Sequence, residues 1–96
     1  MELRNYTYIL ECSDGKLYTG WTNCIERRLS EHNSGKGARF TRGRRPVKLR
    51  YLEISKTKSD AMKREAAIKK LTHAQKEKLI LQGELEKILE ENHIYI

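Results

Sequence analysis

Tyr6-Thr7-Tyr8-Ile9-Leu10-Glu11, then Ser13-Asp14-Gly15, then Leu17-Tyr18-Thr19-Gly20-Trp21 is the stretch that decides the fold. Both flanks are rich in aromatic and β-branched residues, and the polar interruption between them carries a glycine, which together predict a β-hairpin. Its register depends on the turn. A two-residue Asp14-Gly15 turn pairs Leu10 with Thr19 and sends Tyr8 and Tyr18 to opposite faces. A three-residue Ser13-Asp14-Gly15 loop, with Gly15 left-handed, sets Leu10 against Tyr18 and Tyr8 against Gly20, so that both rings share one side. Gly20 weakens a strand, and the close approach of a ring or a phosphate would give it a reason. The plainer role for such aromatic residues is core or cross-strand packing.

Outward from the hairpin, Asn23 offers an N-cap with Glu26 at the N3 position, Ile25 and Leu29 recur at helical spacing, and Asn33-Ser34-Gly35 supplies a stop. This predicts a helix over 24–33. The segment from Gly35 to Pro46 holds three glycines and the only proline, and reads as a long exposed loop, mobile without a partner. Val47 to Ile54 reads as a third strand. Thr57 or Ser59 caps a second helix through Leu71, and Thr72 with Gln75 forms a capping box for a third ending near Gly83. Leu85, Ile88 and Leu89 suggest a final amphipathic turn or two. The order implies an α/β (α+β) sandwich, a small antiparallel or mixed sheet with helices packed on it. At 96 residues the chain suits one small domain, whose core is expected to be one layer closed by a single partner layer.

Composition excludes several classes. No stretch approaches the roughly 20 apolar residues of a membrane span, and Met1-Glu2-Leu3-Arg4 lacks a signal-peptide apolar region, so the cytoplasm is expected. Cys12 and Cys24 have no ligand-spaced thiols beside them, which argues against a zinc knuckle and predicts two reduced cysteines; His73 and His93 read as surface residues. Lysines and arginines number 20 against 13 acids, a net charge of +7. Seven of the basic residues fall between Lys36 and Arg50 with no acid among them, while Glu84 to Ile96 carries four acids against one lysine. A basic face points to a phosphate-rich partner, although a short basic run is as easily a solvated loop.

Arg28 and His32 lie four residues apart and share a helix face with Ile25 and Leu29, the face turned toward the sheet. An arginine there either snorkels to water or holds an anion. Glu65 falls between Ala61 and Ile68 on the packing face of the second helix, where an unpaired carboxylate is costly. It should pair with a base such as Arg28 or bind a metal, and the spacing favours the ion pair.

This ordered set, with Tyr6-Thr7-Tyr8, Tyr18-Thr19-Gly20, Arg28, His32 and Glu65 in Lys63-Arg64-Glu65-Ala66-Ala67-Ile68-Lys69, resembles the GIY-YIG nuclease superfamily, closest to its small stand-alone bacterial members. The resemblance covers nearly the whole chain. It implies a three-stranded antiparallel sheet flanked by helices, a nuclease-like domain over 1–83 followed by an acidic helical extension or tail over 84–96, and a phosphodiesterase site using one divalent ion, Mg²⁺ or Mn²⁺. By resemblance Tyr8 and Tyr18 match the motif tyrosines, Arg28 the active-site arginine, His32 a further polar or aromatic ring, and Glu65 the metal-binding carboxylate. Arg28 would bind nonbridging phosphate oxygens; Tyr18 is assigned to the attacking water and Tyr8 to orientation. The chain departs from the pattern where Tyr6-Thr7 and Thr19 replace the usual residues, at Trp21, where repair relatives carry lysine, and in lacking a third-helix asparagine, for which Lys69, Lys70 or Lys76 would have to substitute.

The expected function is therefore metal-dependent endonucleolytic hydrolysis of DNA, in repair or recombination, with Arg39, Arg42, Arg44, Arg45, Lys48 and Lys69 along the backbone and binding that weakens steeply with salt. A protein partner could supply target choice. The alternative is a binding module of the same fold with no turnover, and the blandest is a basic protein without a nucleic-acid role.

Overall fold

The hairpin closes through the three-residue loop. In the computed structural model, which describes residues 4–96, Cys12 N–H donates to the Lys16 carbonyl at 2.8 Å, and Gly15 turns the chain at φ +85°. Leu10 faces Tyr18 and Tyr8 faces Gly20. A left-handed glycine in the last loop position is what lets a three-residue loop match the twist of the strands. The two tyrosines therefore fall on one side.

Strands β1 (Asn5–Glu11), β2 (Leu17–Thr22) and β3 (Lys48–Ser55) form an antiparallel sheet in the order β2-β1-β3. Between Ile9 and Leu10 the pairing on β3 jumps from Tyr51 to Leu49, leaving Arg50 as an extra residue that bends the strand. Helices α1 (Ile25–Asn33), α2 (Arg39–Arg42), α3 (Lys58–Lys69), α4 (His73–Gln82) and α5 (Leu85–Glu91) surround the sheet. Thr57 caps α3 by accepting from Asp60 N–H, and Thr72 with Gln75 forms the reciprocal capping box of α4. At α1 the cap position is Cys24 instead of Asn23, whose amide oxygen accepts from Arg27. No helix of the described residues is long and apolar enough to cross a membrane.

Both faces of the sheet are covered, so the fold has three layers and not the two expected from chain length. Tyr6, Tyr8, Leu10 and Leu52 pack with Ile25 of α1 and Ile94, flanked by Leu29, Leu85, Ile88 and Leu89. On the other face Ile9, Leu17 and Tyr51 pack with Ile68 of α3, flanked by Leu79 and Ile80 of α4. The reason lies in β1, where every residue from Tyr6 to Leu10 is buried. A strand apolar at both parities needs cover on both sides. Residues 84–96 take part in this packing through α5 and the buried Ile94.

The segment expected as a mobile exposed loop is tied down. It contains α2, and Thr41 is wholly buried. Asn33 brackets its far end, donating to the Val47 carbonyl and accepting from Val47 N–H, while Ser13 N–H donates to the Arg44 carbonyl at 2.9 Å.

Candidate active site

Tyr8 enters the site from the central strand, and Gly20 opposite it is what admits the ring. A Cβ at Gly20 would lie 2.5 Å from the phenol oxygen, too close for any side chain. Tyr18 lies on the same face with its ring centroid 6.5 Å from that of Tyr8. Helix α1 presents Arg28 and His32 to the pair, one turn apart as their spacing predicts.

His32 is fully buried. Its Nε2 lies 2.9 Å from the Tyr8 hydroxyl and its Nδ1 2.8 Å from Thr41 Oγ1. Gly37 passes so near that a Cβ there would stand 2.4 Å from Nδ1 and 2.7 Å from the His32 Cα. Burial first, and the positive Arg28 second, push the imidazole down to about 4, so it is neutral at pH 7 and keeps one ring nitrogen as a hydrogen-bond acceptor. Burial likewise drives the Tyr8 phenol well above its ordinary value, against a hydrogen bond from Arg28 that favours the phenolate; the field of Glu65 adds to the rise. Burial alone would lower Arg28, but hydrogen bonds to Glu31 and Tyr8 outweigh it, and the guanidinium stays charged.

Glu65 comes from α3, whose Ala61 carbonyl accepts from Thr7 of β1. The expected ion pair between Glu65 and Arg28 does not form. Each finds its partner on its own helix: Arg28 meets Glu31 at 3.0 Å three residues on, and Glu65 meets Lys69 at 3.5 Å four residues on. Such pairs need no ordering between elements, so they form first. Glu65 is thus a partly exposed carboxylate, close enough for its charge to reach Tyr8, with only a loose surface lysine upon it. Among the described residues no three His, Cys, Asp or Glu side chains converge as a metal cage. A lone carboxylate open to water still suits a hard ion that keeps most of its own waters, as Mg²⁺ does.

The basic residues divide. Arg44 is committed: Nε meets Asp14 at 3.0 Å, Nη1 donates to the Phe40 carbonyl at 2.7 Å, and the guanidinium lies 4.2 Å over the Phe40 ring. Arg45 donates to the Arg42 carbonyl at 3.0 Å and braces Gly35. Arg39, Arg42 and Lys48 are exposed. Lys69 lies at Glu65 and not with the α2 cluster.

The sequence reading missed Gly37, Phe40 and Thr41. Phe40 stacks on Tyr18 with centroids 5.9 Å apart, and Tyr18 in turn meets His32 edge-on at 5.4 Å. The one signal in the chain was the interruption of the arginine run by small and apolar residues, Gly37-Ala38 and Phe40-Thr41.

The family described as the GIY-YIG catalytic domain matches residues 4–78. A UPF0213 protein of Syntrophus aciditrophicus is 61% identical over 81 residues, covering 83% of this chain and 93% of that protein. Another from Halobacterium salinarum is 55% identical, covering 78% of this chain and 97% of its own. Among solved structures, a UPF0213 protein of Bacillus halodurans, determined by NMR in solution, superposes with a TM-score of 0.55 at 45% identity, over 84% of this chain and 87% of that one.

Proposed function

We propose that this chain, which belongs to the GIY-YIG family and within it to the UPF0213 proteins, is a metal-dependent endonuclease that hydrolyses phosphodiester bonds in DNA. The family is one of nucleases, and a nucleic acid is the substrate its domain implies. The observation that carries the finer reading is a single one: the buried phenol of Tyr8 is hydrogen-bonded to a neutral His32 at 2.9 Å, within the fields of a charged Arg28 and of Glu65.

Hydrolysis needs a water stripped of a proton, charge relief at phosphorus and a protonated leaving oxygen. A phenol with a raised pKa is a poor resting base, but Tyr8 has an acceptor behind it. As water loses a proton to the Tyr8 oxygen, Tyr8 passes its own to His32 Nε2, and the hydroxide forms the new P–O bond. The bond to the leaving oxygen breaks, and that oxygen takes a proton from solvent. Arg28, whose charge acts on Tyr8, holds a nonbridging phosphate oxygen as charge builds there. This arrangement favours exchanging the roles expected for the two tyrosines: Tyr8 takes the proton, while Tyr18, held between His32 and Phe40, aligns the phosphate. Glu65 would hold the divalent ion, which supplies Lewis-acid relief to the phosphate and the leaving group. Arg39, Arg42 and Lys48 are suited to the flanking backbone, whereas Arg44 and Arg45 serve the fold.

The test is incubation of the full chain with Mg²⁺ or Mn²⁺ and a panel of single-stranded, duplex, nicked, flapped and branched DNA and RNA. Cleavage by the wild type that Arg28→Ala and Tyr8→Phe each reduce by about 100-fold or more is the expected result. Cleavage unchanged in both variants overturns the reading, and salt-sensitive binding without cleavage assigns a binding module.

A further inference from the structure

Four donors and acceptors run in series through the buried wall of the site, and their hydrogens can be placed by counting. The Thr41 hydroxyl lies 2.8 Å from His32 Nδ1 and 2.9 Å from the Ala38 carbonyl, and it has one proton to give. A carbonyl only accepts. Thr41 must therefore donate to Ala38 and accept from His32, which puts the imidazole proton on Nδ1. His32 Nε2 is then a bare acceptor, and it accepts the Tyr8 hydroxyl hydrogen at 2.9 Å. The opposite tautomer would spend the Thr41 proton on Nδ1, abandon the Ala38 contact, and leave the proton of a buried Tyr8 with no acceptor. It would gain only the 3.4 Å approach of Ala38 N–H to Nδ1. Buried donors are rarely left unpaired, so the first arrangement prevails.

We propose that Thr41 is a positioning residue that fixes the His32 tautomer, so that Nε2 stands ready to receive the Tyr8 proton before any substrate arrives. Helix α2 is only four residues long, and two of them meet the site, the buried Thr41 reaching His32 while the more exposed Phe40 stacks on Tyr18. Gly37 is the accessory that makes it possible, because any side chain there would displace the imidazole edge that faces Thr41. When Tyr8 hands over its proton, the resulting imidazolium already has its second N–H satisfied, and the Ala38 carbonyl dipole at the end of the series favours the new charge. The kinetic consequence rests on the nuclease reading, whereas the tautomer itself does not.

The experiment records the two ring nitrogen resonances of His32 in the ¹⁵N-labelled full chain at pH 7, without metal or nucleic acid. The expected result is a protonated Nδ1 and an unprotonated Nε2 in the wild type and in Thr41→Ser. In Thr41→Val the loss of one hydrogen bond should lower the ratio of the two tautomers about tenfold. A wild type protonated at Nε2 overturns the proposal, and so does an unchanged ratio in a folded Thr41→Val. Should the valine variant fail to fold, the wild-type spectrum still decides. In cleavage, Thr41→Val should lower kcat about tenfold with KM unchanged, restored by Thr41→Ser. A confirmed tautomer with full kcat in Thr41→Val would remove the proton relay from the nuclease reading and leave the tautomer assignment standing.

Discussion

On the α1–α2 side of the sheet, the side-chain polar atoms of Tyr8, His32 and Thr41 all have partners within 2.9 Å, and all three residues are at most 1% exposed. On the α3 side, Glu65 has only Lys69 at 3.5 Å, and the buried Thr19 Oγ1 has no hydrogen-bond partner. One side is determined several times over, and the other is left open. The contrast suits two kinds of chemistry. Under the proposed function a proton relay works only if its atoms are placed before the reaction, while a carboxylate that is to hold a hydrated ion must not be spent on a protein partner.

Substitutions on the two sides should therefore fail differently. The largest effect is expected from Glu65→Gln, which should lower cleavage by on the order of 10³-fold while changing the stability read from urea melts by no more than about 0.5 kcal/mol. A large loss of stability there would make Glu65 a structural residue. Next comes acid. The unfolded imidazole titrates near 6.5 and the folded one near 4, so the unfolded chain binds the proton first; stability is complete above pH 6.5 and falls as pH drops toward 4, by about 3 kcal/mol. Urea melts from pH 7 to 4 would read this, and His32→Gln should flatten the dependence. Gly37→Ala should cost about 2 kcal/mol, because its new Cβ meets backbone, whereas Gly43→Ala, with nothing within 4 Å, should cost far less. Thermal melts of the pair give the comparison. The smallest effect belongs to Lys69→Ala, at most about 0.5 kcal/mol by the same melts.

Much of this contrast was legible in the chain. The Ser13-Asp14-Gly15 loop and Gly20 together admit the register that joins the two tyrosines, and Thr72 with Gln75 marks its helix without ambiguity. Cover on both faces was missed, because chain length suggested a single partner layer, although Tyr6-Thr7-Tyr8-Ile9-Leu10 never alternates with charged residues. What could not be read was α2. Four residues are too few for a helical period, and Thr41 is buried because His32 meets it from another helix, a contact that no local pattern announces. The Arg28–Glu65 pair was expected because both residues face the sheet. The nearer partners Glu31 and Lys69 were visible at helical spacing, and proximity along the chain decided the matter.

The fastening of α2 has a consequence for the handling of the molecule. Four arginines within seven residues, Arg39 to Arg45, would offer trypsin its densest set of targets in an extended loop. Here that peptide is stapled to the hairpin tip through Asp14 and Ser13 and to the end of α1 through Asn33, so a protease needing a stretch of free backbone must wait for the fold to open. The segment that looks most vulnerable on paper is thus cut only as fast as these ties open.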